Sequence, residues 1–170
     1  MSVEIALAGE ERVDELEPLW IELHRHHRRV AAQPVVDDDA ESWARRRSWY
    51  LDMLSGGDDL VLIAERAGRP VGYAFVHMHA GPDDTWPVGR RWAEVVSLSV
   101  LPEERGAGVG TALLDAVDRE LAARDVPDLQ VAVMAGNADA LRLYERRGLR
   151  PAELVLFRFG RAEDGDEATA

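Results

Sequence analysis

The chain has 170 residues, 46% hydrophobic and 31% charged, with a formal net charge of −12 and no cysteine. That length suits one domain with a buried core, the composition excludes collagen-like and wholly disordered chains, and the missing thiols exclude disulfides, thiolate metal sites and cysteine nucleophiles. Every one of the 20 basic residues is arginine, which excludes a lysine Schiff base and a P-loop lysine, and the acidic balance argues against a general nucleic-acid binder.

The opening stretch MSVEIALAGEERV lacks the basic-then-apolar order of a signal peptide. No apolar run approaches the ~20 residues of a spanning helix, so a cytoplasmic protein with no membrane partner is expected. Val3 to Leu7 reads as a short strand. From Glu10 to Val30, apolar positions Val13, Leu16, Trp20, Leu23 and Val30 recur at helical steps, and Pro18 inside that pattern predicts a kink or a late helix start. After a loop with three consecutive aspartates, a second helix carries Trp43, Tyr50, Met53 and Leu54 on one side and stops near Gly56-Gly57.

The period then changes. Leu60 to Glu65 and Val71 to His79 read as strands joined through Ala67-Gly68-Arg69-Pro70, a hairpin signal. Beyond a Gly/Pro/Asp-rich loop, Trp92 to Val100 is a third long strand. Gly110 to Arg124 is helical with Leu113, Val117 and Leu121 on one stripe, Leu129 to Met134 is strand, Asn137 to Arg147 helix, and Glu153 to Phe159 strand. The acidic tail from residue 161 to 170 reads as disordered, leaving one domain over residues 1–160. This order means an α/β or α+β fold with helices packed on a mixed sheet.

The most informative segment is Val100-Leu-Pro-Glu-Glu-Arg105-Gly106-Ala107-Gly108-Val109-Gly110-Thr111. A strand, a short loop with three alternate glycines and a helix leave backbone N–H groups at a positive helix end, where phosphate oxygens bind well. Arg105 adds a cation at the loop's mouth. An isolated glycine trio suits a plain turn equally well. The dinucleotide fingerprint G-x-G-x-x-G is not matched, because Thr111 stands where its third glycine belongs and no acid follows the next strand to hold a ribose.

Arg105-Gly-Ala-Gly108-Val-Gly110 resembles the R/Q-x-x-G-x-G/A motif of the GNAT superfamily, the Gcn5-related N-acetyltransferases. The segment Asn137-Ala138…Leu141…Tyr144-Glu-Arg-Arg-Gly148-Leu149 is similar to the family's N-x-x-A-x-x-L-Y-x-x-x-G-F, with leucine in place of phenylalanine. The likeness runs from Glu94 to Leu149, and before that by element order only. It implies a central mixed, mostly antiparallel sheet flanked by about four helices, and an acetyl-CoA-dependent N-acetyltransferase in which a primary amine attacks the thioester directly. The alternative is a non-catalytic acyl-CoA-binding sensor.

Residue by residue, the resemblance implies that Arg105, Gly106, Ala107, Gly108, Val109, Gly110 and Thr111 grip the pyrophosphate of acetyl-CoA. Leu98, Ser99 and Val100 pair through their backbones with the pantetheine arm, and the Leu98 N–H polarises the thioester carbonyl, a donor placed where oxyanion charge develops. Asn137 caps its helix and touches the cofactor. Tyr144 corresponds to the general acid on the CoA sulfur, although a tyrosine packed by its ring fits the same position. Its helix places it on one face with Asn137 and Leu141. Glu94 occupies the place of a general-base glutamate, or else is a strand-end acid paired with Arg90 or Arg91. Strand alternation puts it on the face of Val96, Leu98 and Val100 unless a bulge intervenes.

His77 and His79 share a strand face at a spacing that can bind metal, but no third ligand is evident and acetyl transfer needs none, so no metal is expected. His24, His26 and His27 with Arg25, Arg28 and Arg29 form a cationic helix end, which the helix dipole favours. The first two helices of the family wall the acceptor site, so these groups, Arg45 to Arg47, and Trp86 are candidates to meet the substrate. The expected partner is a small-molecule or peptide amine. Because only one strand follows the last helix, completion of the sheet by a second copy is left open.

Overall fold

Runs of β-branched and aromatic residues in the middle of the chain pair into one sheet. In the computed structural model, which describes residues 2–36 and 38–159, five strands lie in the order β1 (Glu4–Ala8), β2 (Leu60–Arg66), β3 (Arg69–Ala80), β4 (Arg91–Val100) and β5 (Leu129–Val131). The first four are antiparallel neighbours, and β5 runs parallel to β4. The β2–β3 hairpin is tighter than the sequence suggests. Arg66 pairs with Arg69, leaving only Ala67 and Gly68 at φ 53° and 73° as a two-residue turn whose twist matches the strands.

Helices cover both faces. On one side lie α1 (Glu17–Val30) and α2 (Asp39–Ser55), on the other α3 (Val109–Ala123) and α4 (Ala138–Arg146). A 3-10 segment over Glu10–Leu16 precedes α1, whose first turn holds Pro18, so the proline causes the late start that its missing N–H predicts. Asp38 caps α2 by accepting from the Glu41 N–H at 2.7 Å. The predicted stripe Leu113, Val117 and Leu121 is buried against Leu62, Ala74 and Val95. Leu16, Leu19, Trp20 and Tyr50 pack with Ile63, Tyr73 and Phe75 on the opposite face.

Two expected elements differ. The strand read over Leu129 to Met134 ends at Val131, because the chain must turn away to reach α1: a Cβ on Gly136 would lie 2.1 Å from the Val30 carbonyl oxygen, so only glycine allows this approach. The strand read over Glu153 to Phe159 is absent from the sheet. Residues 151–159 have no regular structure, and Leu154 and Leu156 are each 90% exposed. A strand needs a partner for its N–H and C=O groups, and three-residue β5 presents too short an edge to hold it. The acidic tail lies outside the described residues. Among the described residues no helix is long and apolar enough to cross a membrane.

Candidate active site

The site is organised by one irregularity in β4. Phe75 of β3 faces Ser97 but Val76 faces Val95, so Val96 is an extra residue on β4. The bulge changes which side chains share a face. Val95, Leu98 and Val100 pack on the α3 side, whereas Val96 packs on the α1–α2 side and Ser97 and Ser99 hydrogen-bond there. Glu94, one residue from Val95, therefore sits on the α1–α2 face with Val96, not with Leu98 and Val100. Tyr50 Oη donates to Ser97 Oγ at 2.6 Å, and Tyr73 Oη lies 3.1 Å from Tyr50 Oη. Ser99 Oγ donates to the Leu19 carbonyl at 2.8 Å. These bonds hold the bulged strand against α1 and α2.

Immediately beyond the bulge the sheet opens. β5 pairs with Ala93, Glu94 and Val95 only, so the β5-facing edge of Leu98, Ser99 and Val100 is left without a neighbouring strand among the described residues. Past Val131 the chain bends toward Val30, widening the gap. A cavity of about 280 Å³ lies on the α3–α4 side, lined by Val95, Leu114, Leu129, Val131, Tyr144 and Leu149.

At the far end of β4, the glycine loop enters α3. Gly106 and Gly108 have φ of 76° and 82°, left-handed values that cost an ordinary residue about 1–2 kcal/mol. The first ladder bond of α3 runs from the Ala112 N–H to the Gly108 carbonyl at 2.9 Å. The N–H groups of Val109, Gly110 and Thr111 thus lie ahead of the ladder, at the positive end of a 15-residue helix. Arg105 Nε donates to the Val100 carbonyl at 3.0 Å, so its side chain braces the loop against the end of the strand. Ala107 is exposed in this loop, and Thr111 is exposed in the first turn of α3. The arrangement presents several donors to an anion.

Asn137 caps α4, its Oδ1 accepting from the Ala140 N–H at 3.2 Å. Tyr144 is buried. It shares its inward face with Ala140 and Leu143, which also pack on the core, rather than with Leu141, which is exposed. Burial raises its phenol to about 12, so it keeps its proton throughout the neutral range. Glu94 and Tyr144 stand on opposite faces of the sheet, and the opening between β4 and β5 lies between those faces.

Glu94 does not pair with Arg90 or Arg91; Arg91 reaches Asp58 at 3.3 Å instead. Its partner is His79, whose Nε2 lies 3.0 Å from Glu94 Oε2. The His79 ring stacks on Trp92 at 3.9 Å and meets the His77 ring edge-on at 4.3 Å. His77 Nδ1 lies 2.9 Å from both oxygens of Asp59, a carboxylate whose side chain is only 4% exposed. The sequence flags His77 and His79 only by their spacing. Asp59 escapes notice because it lies in a turn before β2, and nothing local marks it as their partner. Among the described residues no group of three or more histidines and acids is arranged to hold a metal.

The cationic end of α1 divides. His24 is buried, with Nε2 2.8 Å from the Val36 carbonyl. Burial, then repulsion from His26, His24 and Arg46, lowers His27 to about 4. Arg46 stacks over Trp20 at 4.1 Å and Trp49 at 4.7 Å, while Arg45 pairs with Glu41 and Arg47 with Asp14. Trp86 is 40% exposed in the loop before β4.

The chain is similar to several known proteins. Mycothiol acetyltransferase from Streptomyces griseus is 31% identical over 144 residues, which cover 81% of this chain and 40% of that protein. The chain spans less than half the length of the curated relatives of this name from Streptomyces griseus and Acidothermus cellulolyticus. A GCN5-related N-acetyltransferase from Ralstonia eutropha superposes with a TM-score of 0.74 at 19% identity, covering 93% of this chain and 99% of that one. Aminoglycoside N-acetyltransferase AAC(6')-Iy, solved in complex with CoA, gives 0.70 at 17% identity, covering 94% and 95%. The family model described as the acetyltransferase (GNAT) family matches residues 17–149, a span that takes in the bulged strand, the glycine loop and the Tyr144 helix. On that match, the chain belongs to the acetyltransferase (GNAT) family.

Proposed function

We propose that the chain is an acetyl-CoA-dependent N-acetyltransferase in which a primary amine attacks the bound thioester directly. The carrying observation is the opening of the sheet after Val95, with Glu94 on one face and Tyr144 on the other. A group lodged in that opening is reached by a base from one side and an acid from the other. The unpaired edge of Leu98, Ser99 and Val100 accepts an extended amide-bearing arm as a strand would. The Arg105–Thr111 segment, with its N–H groups ahead of the helix ladder, takes the diphosphate, and Asn137, the cap of α4, touches the cofactor.

In this scheme Glu94 takes a proton from the incoming ammonium, freeing the nitrogen lone pair. Nitrogen attacks the carbonyl carbon while the Leu98 N–H stabilises the developing oxyanion. The C–S bond then breaks as Tyr144, whose raised phenol keeps its proton in the neutral range, gives that proton to the departing sulfur; the surplus proton on the acylated nitrogen passes to the phenolate and restores it, and Glu94 releases its own proton to solvent, leaving the amide and the free thiol. No metal is needed. The relatives' name, mycothiol acetyltransferase, favours a small-molecule acceptor over a peptide, and we place the reaction in the cytoplasm with its co-substrate.

We also assign a homodimer to the protein. Leu154 to Phe159, apolar but for Arg158, is an exposed run without regular structure, and the same run of a second copy offers it a partner. Sedimentation at increasing concentration checks this; a monomer at every concentration refutes it.

The enzymatic reading is tested by calorimetry with acetyl-CoA and by thiol release over a panel comprising an aminoglycoside, an amino sugar, a polyamine and a dipeptide. Binding with release on at least one amine is expected. Binding without release on any amine supports the sensor instead, and no binding removes both.

A further inference from the structure

Glu94 is held by a line of side chains that runs across three parts of the fold. Asp59, in the turn before β2, is almost fully buried and receives both the His77 Nδ1 and, at 2.8 Å, the Met78 N–H. A carboxylate bonded twice in this way is fixed, and it fixes the His77 tautomer, because the ionised acid can only accept. His77 abuts His79 edge-on at 4.3 Å. His79 is clamped on its other side by Trp92, stacked at 3.9 Å and nearly parallel at 8°. A ring confined on two sides points its Nε2–H at Glu94 Oε2, 3.0 Å away. The pair is diagonal across the strands, since His79 lies opposite Trp92 and His77 opposite Glu94.

This geometry points to His79 as the positioning residue for the base: its Nε2–H occupies one carboxylate oxygen of Glu94 and fixes the plane of the group, so that the other oxygen is the one available to the acceptor amine. The role given to His79 rests on Glu94 being the base. A carboxylate otherwise turns freely about its last bond, and a misplaced catalytic group loses rate steeply. The polar groups around it are Glu94 on β4, His77 on β3 and, through His77, Asp59; the Arg91–Asp58 pair closes the same end of the sheet.

The test compares Glu94→Gln, His79→Ala and His79→Gln by thiol release from acetyl-CoA with whichever amine of the panel is turned over fastest, across pH, alongside thermal melting. We expect Glu94→Gln to lose turnover, and His79→Ala to lose at least about ten-fold in kcat with the KM for acetyl-CoA unchanged. His79→Gln, which keeps a donor, should recover most of that loss. If Glu94→Gln is impaired while His79→Ala keeps the kcat of the parent, His79 does not position the base. Equal losses in His79→Ala and His79→Gln overturn the positioning role as well. If Glu94→Gln is fully active, or if no amine is acetylated, the base assignment itself fails and takes this one with it.

Discussion

The Tyr50 hydroxyl donates a 2.6 Å hydrogen bond to Ser97 Oγ, joining α2 to the β4 residue that directly follows the bulge. Tyr50 spends its single proton on Ser97, so the 3.1 Å contact with Tyr73 is a bond that Tyr73 donates. The chain Tyr73–Tyr50–Ser97 is enclosed in the core, and Tyr50 also stacks on Phe75 at 4.0 Å. Tyr50→Phe preserves the stack but removes an acceptor from Tyr73 and a donor from Ser97. A loss of about 1–3 kcal/mol follows from leaving buried polar groups unmet. Urea denaturation of the two proteins measures it; equal midpoints would show that the network contributes nothing.

Tyr144→Phe should lower turnover while leaving acetyl-CoA affinity close to that of the parent, since the ring keeps its packing. The pH profile gives a second check. With the phenol raised to about 12 by burial, the proton-bearing form persists below that value and is lost only above it. Titration of Tyr144 therefore cannot produce a basic limb between about pH 7 and 10. A fall in that range that vanishes in Tyr144→Phe would contradict the assignment.

Gly108→Val forces a branched residue to φ 82° at the start of α3. The strain is roughly 1–2 kcal/mol, and relief by rotating the backbone turns the loop amides away from a diphosphate. Calorimetry should show acetyl-CoA binding weakened more than the melting temperature is lowered. Parental affinity would argue that the loop is only a turn.

His27 supplies an acid-sensitive element of stability. Its folded value of about 4 lies below the ordinary 6.5 because burial, and then its cationic neighbours, disfavour the charged form. The unfolded chain thus binds a proton first. Stability is complete above about pH 6.5 and declines as pH falls toward about 4, by a total on the order of 1–3 kcal/mol. His27→Gln should flatten that part of the curve. An unchanged slope would assign the decline to other groups.

The parts of this candidate site that lie close together in the chain are legible in the sequence. The glycine loop, the Asn137 cap and Tyr144 lie in continuous segments whose spacing sets their geometry. Glu94 is legible as a candidate but not by its face, since one extra residue, Val96, reverses the alternation and nothing in Val-Val-Ser announces it. The Asp59–His77–His79–Glu94 line joins separate stretches of chain through strand register, which short-range patterning does not carry. The end of β5 and the fate of Leu154 to Phe159 escape for a related reason. Both depend on which edge is free, and the Val30 carbonyl against which Gly136 packs lies far earlier in the chain.

The parting of β4 from β5 is a hazard as well as a socket. Bare main-chain donors and acceptors at a sheet border invite any extended polypeptide, and the greasy run from Leu154 to Phe159 supplies a willing one. A tenant in the cleft would shield that border, so coenzyme added during storage should protect the protein against clumping, independently of any turnover.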